Sequence, residues 1–393
     1  MAVIQNVLGT NGNDTLRSTG AVEMINGGLG LDKLVFDEGT QGVSVNLKTG
    51  KLTDSFGNKE TVSGIEIVIG TSMNDKITGS DFADYLVGGD GNDSLYGGAG
   101  SDELYGGTGD DFLSGGSSSD YFVGGKGSDT ISGGSGFDMV DYSDEGGSYG
   151  VTVDLIANTA TDTYSSTDTY ISIERVRGSD MADTFSGNNS ANMFEGGAGN
   201  DTVDGLNGDD VIRGDFGDDK LLGGSGADMI AGGRGNDYMD GGSGSKDVAD
   251  YAHDGGWHGV SVNLKTGIAE DSWGDIDTLV SIECITGTEF GDWFMGKTGV
   301  NSFTGAGGDD TMAGGGGNDT FVFGLGHGND QINDFNAGDT LDLAALGFLS
   351  VADVQAASVG HNLGTLINTG AGSSILLVDV NISSLATLGY VFA

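Results

Sequence analysis

The sequence predicts an all-β solenoid, built from three tandem cassettes of one design and closed by a C-terminal cap. Three observations predict it. A nine-residue unit rich in Gly and Asp recurs in register along most of the chain. Each unit carries an apolar residue at one fixed place. A longer segment, present three times, separates the arrays at offsets of 108 and 109 residues. Units this short cannot bury an apolar row alone, so they stack, each coil covering its neighbour.

From Gly88 the chain reads GGDGNDSLY, GGAGSDELY, GGTGDDFLS, GGSSSDYFV, GGKGSDTIS and GGSGFDMVD. The sixth place holds Asp93, Asp102, Asp111, Asp120, Asp129 and Asp138. Two weaker copies carry the register back to Asp84 and Asp75. A second array holds Asp183, Asn192, Asp201, Asp210, Asp219, Asp228 and Asp237. A third holds Asp292, Asn301, Asp310 and Asp319, and an N-terminal stub holds Asp14, Glu23 and Asp32. The expected unit is a six-residue Gly-rich turn and a three-residue strand, whose middle side chain (Leu95, Leu104, Leu113) points inward. Two units make a coil of 18 residues. Strands of successive coils then pair in parallel.

The separating segments are residues 42–71, 150–179 and 259–288, opening GVSVNL, GVTVDL and GVSVNL. Alternation at their start is a strand signal, and a polar turn leads to a second strand. Acidic residues recur in them at a spacing of six: Asp54, Glu60, Glu66; Asp162, Asp168, Glu174; Asp271, Asp277, Glu283. The last of each trio lies nine residues before Asp75, Asp183 or Asp292, so Glu66, Glu174 and Glu283 continue the repeat register. The organisation read from this is an N-terminal stub (1–35), three cassettes (36–141, 142–250 and 251–323) and a C-terminal cap (324–393).

Composition fits. Gly accounts for 77 of 393 residues and Pro for none, which suits turns needing positive φ and excludes collagen. With 59 Asp and Glu against 15 Lys and Arg, the formal net charge is -44. Such a surface repels nucleic acid and attracts cations. The single Cys284 cannot form an internal disulfide. No apolar run is long enough for a transmembrane helix, and residues 1–12 do not read as a secretory signal peptide.

The pattern GGxGxDxUx is similar to the calcium-binding nonapeptide of the RTX (repeats-in-toxin) family, and the resemblance covers nearly the whole chain. It implies a parallel β-roll with calcium held between adjacent turns. The chemistry agrees. A carboxylate at position i lies near the turn at i+18, calcium takes six to eight oxygens, and Gly-rich turns expose carbonyls. Asp93 with Asp111, and Asp102 with Asp120, are such pairs. The candidate ligands are Asp75, Asp84, Asp93, Asp102, Asp111, Asp120, Asp129, Asp138, Asp183, Asp201, Asp210, Asp219, Asp228, Asp237, Asp292, Asp310 and Asp319. Together they make about a dozen sites. The segment after Gly324, free of Lys and Arg and ending Tyr390-Val391-Phe392-Ala393, resembles the uncleaved signal of RTX proteins exported by type I secretion. The same segment would also cap the last coil. The expected location is therefore outside the cell.

Enzyme signatures are sparse. Gly146-Gly147-Ser148-Tyr149-Gly150 matches GxSxG, but it lies in a turn before a strand rather than between strand and helix. No HExxH occurs, and His253 and His258 read as surface residues. A chain without Pro cannot carry the Asp-Pro-His motif of mannuronan epimerases, which bear similar calcium modules. Trp257, Trp273 and Trp293 cluster in the third cassette. They are expected to pack on the roll, with a sugar platform as the other reading. The expectation is a non-enzymatic, structural or adhesive protein of a biofilm matrix or surface layer, whose partners are calcium, an exporter and itself or a cell-surface polysaccharide. The alternative is an accessory module of a polysaccharide-modifying enzyme.

Overall fold

The computed structural model describes residues 5–393. Residues 1–4, the start of the N-terminal stub, lie outside the described residues. The chain forms two compact units, Met1–Ser186 and Gly187–Ala393. Each is a parallel β-roll, its strands falling alternately on two faces.

In the first unit, Tyr85–Asp90, Glu103–Thr108 and Tyr121–Lys126 stack in parallel on one face, with Leu86, Leu104 and Phe122 aligned. Ser94–Ala99, Phe112–Ser117 and Thr130–Ser135 stack on the other, aligning Leu95, Leu113 and Ile131. All six of these apolar side chains are fully buried. The second unit repeats the plan with Phe194, Ile212 and Ile230 on one face and Val203, Leu221 and Met239 on the other. Each such side chain removed from water contributes roughly 1.5–3 kcal/mol. This is the apolar row the period implied.

The strands are longer than the period suggested. In the dense array each runs six residues, through both glycines, and leaves a turn of three such as Gly91–Asp93. Glycine makes this continuation feasible. Gly107 pairs with Gly89 one coil away at φ +113°, and a Cβ there would lie 2.1 Å from the Gly89 carbonyl oxygen. Gly107→Ala therefore combines left-handed strain, about 1–3 kcal/mol, with a backbone clash. The expected result is a higher calcium requirement for folding, followed by circular dichroism. Gly324→Ala is the control, because a Cβ there meets nothing within 4 Å.

Each separating segment adds a three-stranded antiparallel meander to one face, rather than the two strands expected. The meanders are Ser44–Asn46, Lys51–Thr53, Lys59–Ser63; Thr152–Asp154, Thr159–Thr161, Thr167–Ile171; and Ser261–Asn263, Ile268–Glu270, Ile276–Val280. The middle strands have only three residues, too few to carry a periodic signal. The first hairpin turn is set by Asn46, Asp154 and Asn263, whose side-chain oxygens accept from backbone N–H groups two or three residues on.

At the C-terminus, Ser373–Val378 and Gly389–Val391 extend the two faces in parallel. Ser358–His361 and Gly364–Gly370 add an antiparallel hairpin. The one α-helix among the described residues, Val351–Ala357, is N-capped by Ser350 and buries Val354.

Candidate metal centre

The sixth-place aspartates form ladders running along the roll. The backbone N–H of Asp75 donates to Asp93 Oδ1 at 2.7 Å, Asp93 to Asp111 at 2.7 Å, and Asp111 to Asp129 at 2.8 Å. On the other edge Asp84, Asp102, Asp120 and Asp138 are linked in the same way at 2.8–2.9 Å. In the second unit Asn192, Asp210 and Asp228 form one ladder and Asp201, Asp219 and Asp237 another. The third array links Asp292 to Asp310 and Asn301 to Asp319. The i to i+18 neighbours expected from the period are thus brought together.

From the second member of each ladder on, one oxygen of the carboxylate is spent on this contact. The other, in Asp93, Asp102, Asp111, Asp120, Asp129, Asp138, Asp210, Asp219, Asp228, Asp237, Asp310 and Asp319, is buried and reached by no hydrogen-bond donor. The same holds for one oxygen of Asp84. A buried anionic oxygen without a partner is costly. Its surroundings show what fits it. A Cβ built on Gly88 would lie 2.2 Å from Asp93 Oδ2 and 2.6 Å from the Gly106 carbonyl oxygen; at Gly106 it would meet the Gly124 oxygen at 2.4 Å and Asp111 Oδ2 at 2.5 Å. These turns therefore set an unsatisfied carboxylate oxygen beside a glycine carbonyl, in a cradle that only a glycine leaves open. Among the described residues no three His, Cys, Asp or Glu side chains group as a metal centre. A cation there must draw on carbonyls as well, and hard oxygen donors of this kind suit calcium.

Electrostatics carry the same message. Burial, the first cause, pushes the carboxyls of Asp93, Asp102 and Asp111 up to about 7, with neighbouring carboxylates adding to the effect. Burial and then Asp330 and Asp292 take Asp310 to about 9. In the absence of a cation these groups resist ionisation.

Asp75, Asp183 and Asp292 stand apart. Each opens an array, and its carboxylate accepts from a Thr or Ser four residues before it and from Val43, Val151 or Val260 of the preceding meander. Their oxygens seal the junction.

The segment acids divide by role. Glu66 and Glu174 accept from Asp32 and Asp138 at 2.9 and 3.0 Å, in ladder positions. The middle members of the trios, which the sequence did not place in the register, are rungs as well: Glu60, Asp168 and Asp277 accept from the N–H of Glu23, Asp129 and Asp237. The spacings of 37, 39 and 40 residues across a meander hid them. Asp247, Asp330 and Asp339 were missed for a related reason, lying 19 or 20 residues beyond their partners. At Asp330 the second oxygen is taken by the buried His327 ring at 2.5 Å, whose other nitrogen meets Thr369 Oγ1 at 2.8 Å. The first trio members, Asp54, Asp162 and Asp271, instead brace the second hairpin turn through backbone N–H groups.

Residues 5–39, 69–104, 105–140, 177–212, 213–245 and 286–321, more than half of the chain, match the family described as RTX calcium-binding nonapeptide repeat. The chain belongs to the RTX calcium-binding repeat family. Its repeats bind calcium, and the fold is the RTX β-roll. Among solved structures, the extracellular lipase LipA from Serratia marcescens is 18% identical, with a TM-score of 0.22, over 83% of this chain and 40% of the lipase. The RTX chain thus spans well under half of that lipase's length. No curated protein matches it.

Proposed function

We propose that this is an exported RTX protein that folds on calcium outside the cell and acts without turnover, as a calcium-stiffened element of a matrix or surface. The observation that carries this reading is the row of buried, donor-free carboxylate oxygens along the edges of both units. The sixth-place aspartates from Asp84 to Asp138, Asp201 to Asp237, and Asp310 with Asp319 are the proposed ligands, with the first glycine carbonyls of neighbouring coils. Asp75, Asp183 and Asp292, with both oxygens occupied, are proposed as junction residues first.

Each bound ion removes two negative charges, so about a dozen offset roughly half of the -44. Coils that repel one another at low calcium can then meet side by side or end to end. Light scattering during a calcium titration, followed by electron microscopy, is expected to report growing particles. A particle that stays monomeric at every calcium level, and binds neither cells nor glycans, removes the assembly reading. An accessory module of a polysaccharide-acting enzyme then becomes the better one.

Export is proposed to use the C-terminal segment as a type I signal. Deleting residues from Gly360 onward is expected to leave the protein inside the cell, as measured by immunoblot of cells and medium. Undiminished export of the truncated chain overturns the signal.

A further inference from the structure

Basic residues are scarce in the second unit: six Lys and Arg against thirty Asp and Glu. Its only two arginines, Arg213 and Arg234, line one cavity of about 280 Å³ together with Phe216, His253 and Trp273. From these neighbours we propose that the cavity is a binding site for a carboxylate-bearing saccharide, a uronic acid unit of a polysaccharide. The proposal stands on the cavity and holds whether or not the protein assembles with itself.

The roll builds the site from adjacent coils. Arg213 and Phe216 belong to Val211–Phe216 and Arg234 ends Met229–Arg234, with Phe216 paired opposite Arg234. Trp273 comes from the second turn of the meander and is pinned twice. Its N–H donates to Asp271 Oδ1 at 2.9 Å and its Nε1 donates to the Asp254 carbonyl at 2.7 Å. Trp257 meets it edge-on, with ring centroids 4.8 Å apart. The Arg234 guanidinium lies 5.1 Å from the Trp273 ring centre and has no ion-pair partner among the described residues. Arg213 has only a long contact to Glu195, at 3.9 Å. An arginine without a carboxylate is unexpected on so acidic a chain.

The chemistry selects the ligand. A guanidinium fork matches a carboxylate with two parallel hydrogen bonds. Phe216, well exposed at 58%, and the fixed ring of Trp273 offer apolar surfaces for the C–H side of a sugar ring. The volume lies just below the usual range for small-molecule pockets, about 300–1,000 Å³, which suits one sugar unit. Asp254, also in the lining, has its carboxyl pushed up to about 8, by burial first and then by Asp271 and Asp277, so it opposes an anion weakly at neutral pH. Asp215, the remaining acid of the lining, replaces the second glycine of its repeat at φ +70°. Strain of this kind concentrates at functional sites.

The preceding junction, between the first and second cassettes, supplies an internal control. There Lys126 lies 5.8 Å from the Tyr164 ring centre, so one cation over one ring is retained. But Tyr105, Thr108 and Asp144 stand where the junction of the second and third cassettes has Arg213, Phe216 and His253. The features that select an anion are specific to one junction.

The test is Trp fluorescence and calorimetry on the full chain in saturating calcium, with tetragalacturonate as probe. An uncharged glucose tetramer and acetate are the comparison ligands. Saturable binding of one tetragalacturonate per chain is expected, with acetate and the neutral tetramer much weaker. Arg213→Gln with Arg234→Gln is expected to lower affinity on the order of tenfold or more, the worth of one charge-assisted hydrogen bond. Lys126→Gln should leave it unchanged, and circular dichroism verifies that each variant folds. The proposal is overturned by no saturable binding, by equal binding of the neutral tetramer, or by an affinity that the double arginine variant does not alter. Because binding is read on single particles, failure here leaves the assembly reading untouched, and the reverse holds too.

Discussion

Stripped of calcium at pH 8, the protein is expected to lose its repeat arrays; millimolar calcium restores them. The ladders require this. Neighbouring strands lie about 4.8 Å apart, and two carboxylates at about 5 Å in a partly buried setting repel by roughly 3 kcal/mol. The repulsion recurs from rung to rung, while Asp93, Asp102, Asp111, Asp120, Asp129 and Asp138 each also keep a buried oxygen without a donor. A cation at the turn reverses both effects. Since the site forms only in the folded coil, its binding free energy is folding free energy. At a free calcium a hundredfold above the dissociation constant each site adds about 2.7 kcal/mol, and several such sites exceed the stability of an ordinary domain. The measurement is far-UV circular dichroism with small-angle scattering in chelator and in calcium. Identical spectra and dimensions in the two would sink the idea. Asp102→Ala with Asp120→Ala should raise the calcium midpoint of the first array, while the third array, around Asp310 and Asp319, folds as before.

How far the sequence carried this reading depended on spacing. The roll and its apolar row were legible because Leu86, Leu104 and Phe122 recur every 18 residues without interruption. The ladder was legible for the same reason between Asp84 and Asp138. It became illegible where a meander intervenes. Asp168 and Asp277 stand in plain repeat, yet their partners Asp129 and Asp237 are 39 and 40 residues away, and only the chain path shows that they meet. Asp75 and Asp93 look alike in sequence, but the first is satisfied by Thr71 and Val43 while the second keeps an oxygen without a donor. That difference lies in which strand precedes the turn. The Arg213, Arg234 and Trp273 cavity was half legible. The tryptophans clustered visibly, but the expected packing on the roll gave no hint that two distant arginines would join Trp273.

Protons should substitute for calcium. The calcium-free protein is expected to be compact near pH 5 and to unfold as the pH rises through about 6 to 8, the reverse of ordinary acid denaturation. The sign follows from the carboxyls. Burial raises Asp84 and Asp120 to about 6, Asp93, Asp102, Asp111, Asp129 and Asp210 to about 7, and Asp237 to about 8. Asp168 of the second meander and Glu145, which precedes it, reach about 8, by burial first and neighbouring carboxylates second. In the unfolded chain the same aspartates titrate near 3.8 and the glutamate near 4.5. Above those values the folded state holds more protons than the unfolded one, so stability falls with rising pH. The contribution is complete below the unfolded values and is lost as pH passes the folded ones. Calcium must displace these protons, so its affinity should weaken on acidification and its binding should release protons at neutral pH. The measurement is circular dichroism of metal-stripped protein from pH 5 to 8.5, kept above the isoelectric point of about 4.1 to limit precipitation. A potentiometric record of proton release on adding calcium at pH 7 accompanies it. A calcium-free chain equally unfolded at both ends of the range, or calcium binding without proton release, would remove protonation from the account and leave repulsion alone as the reason the apo arrays open.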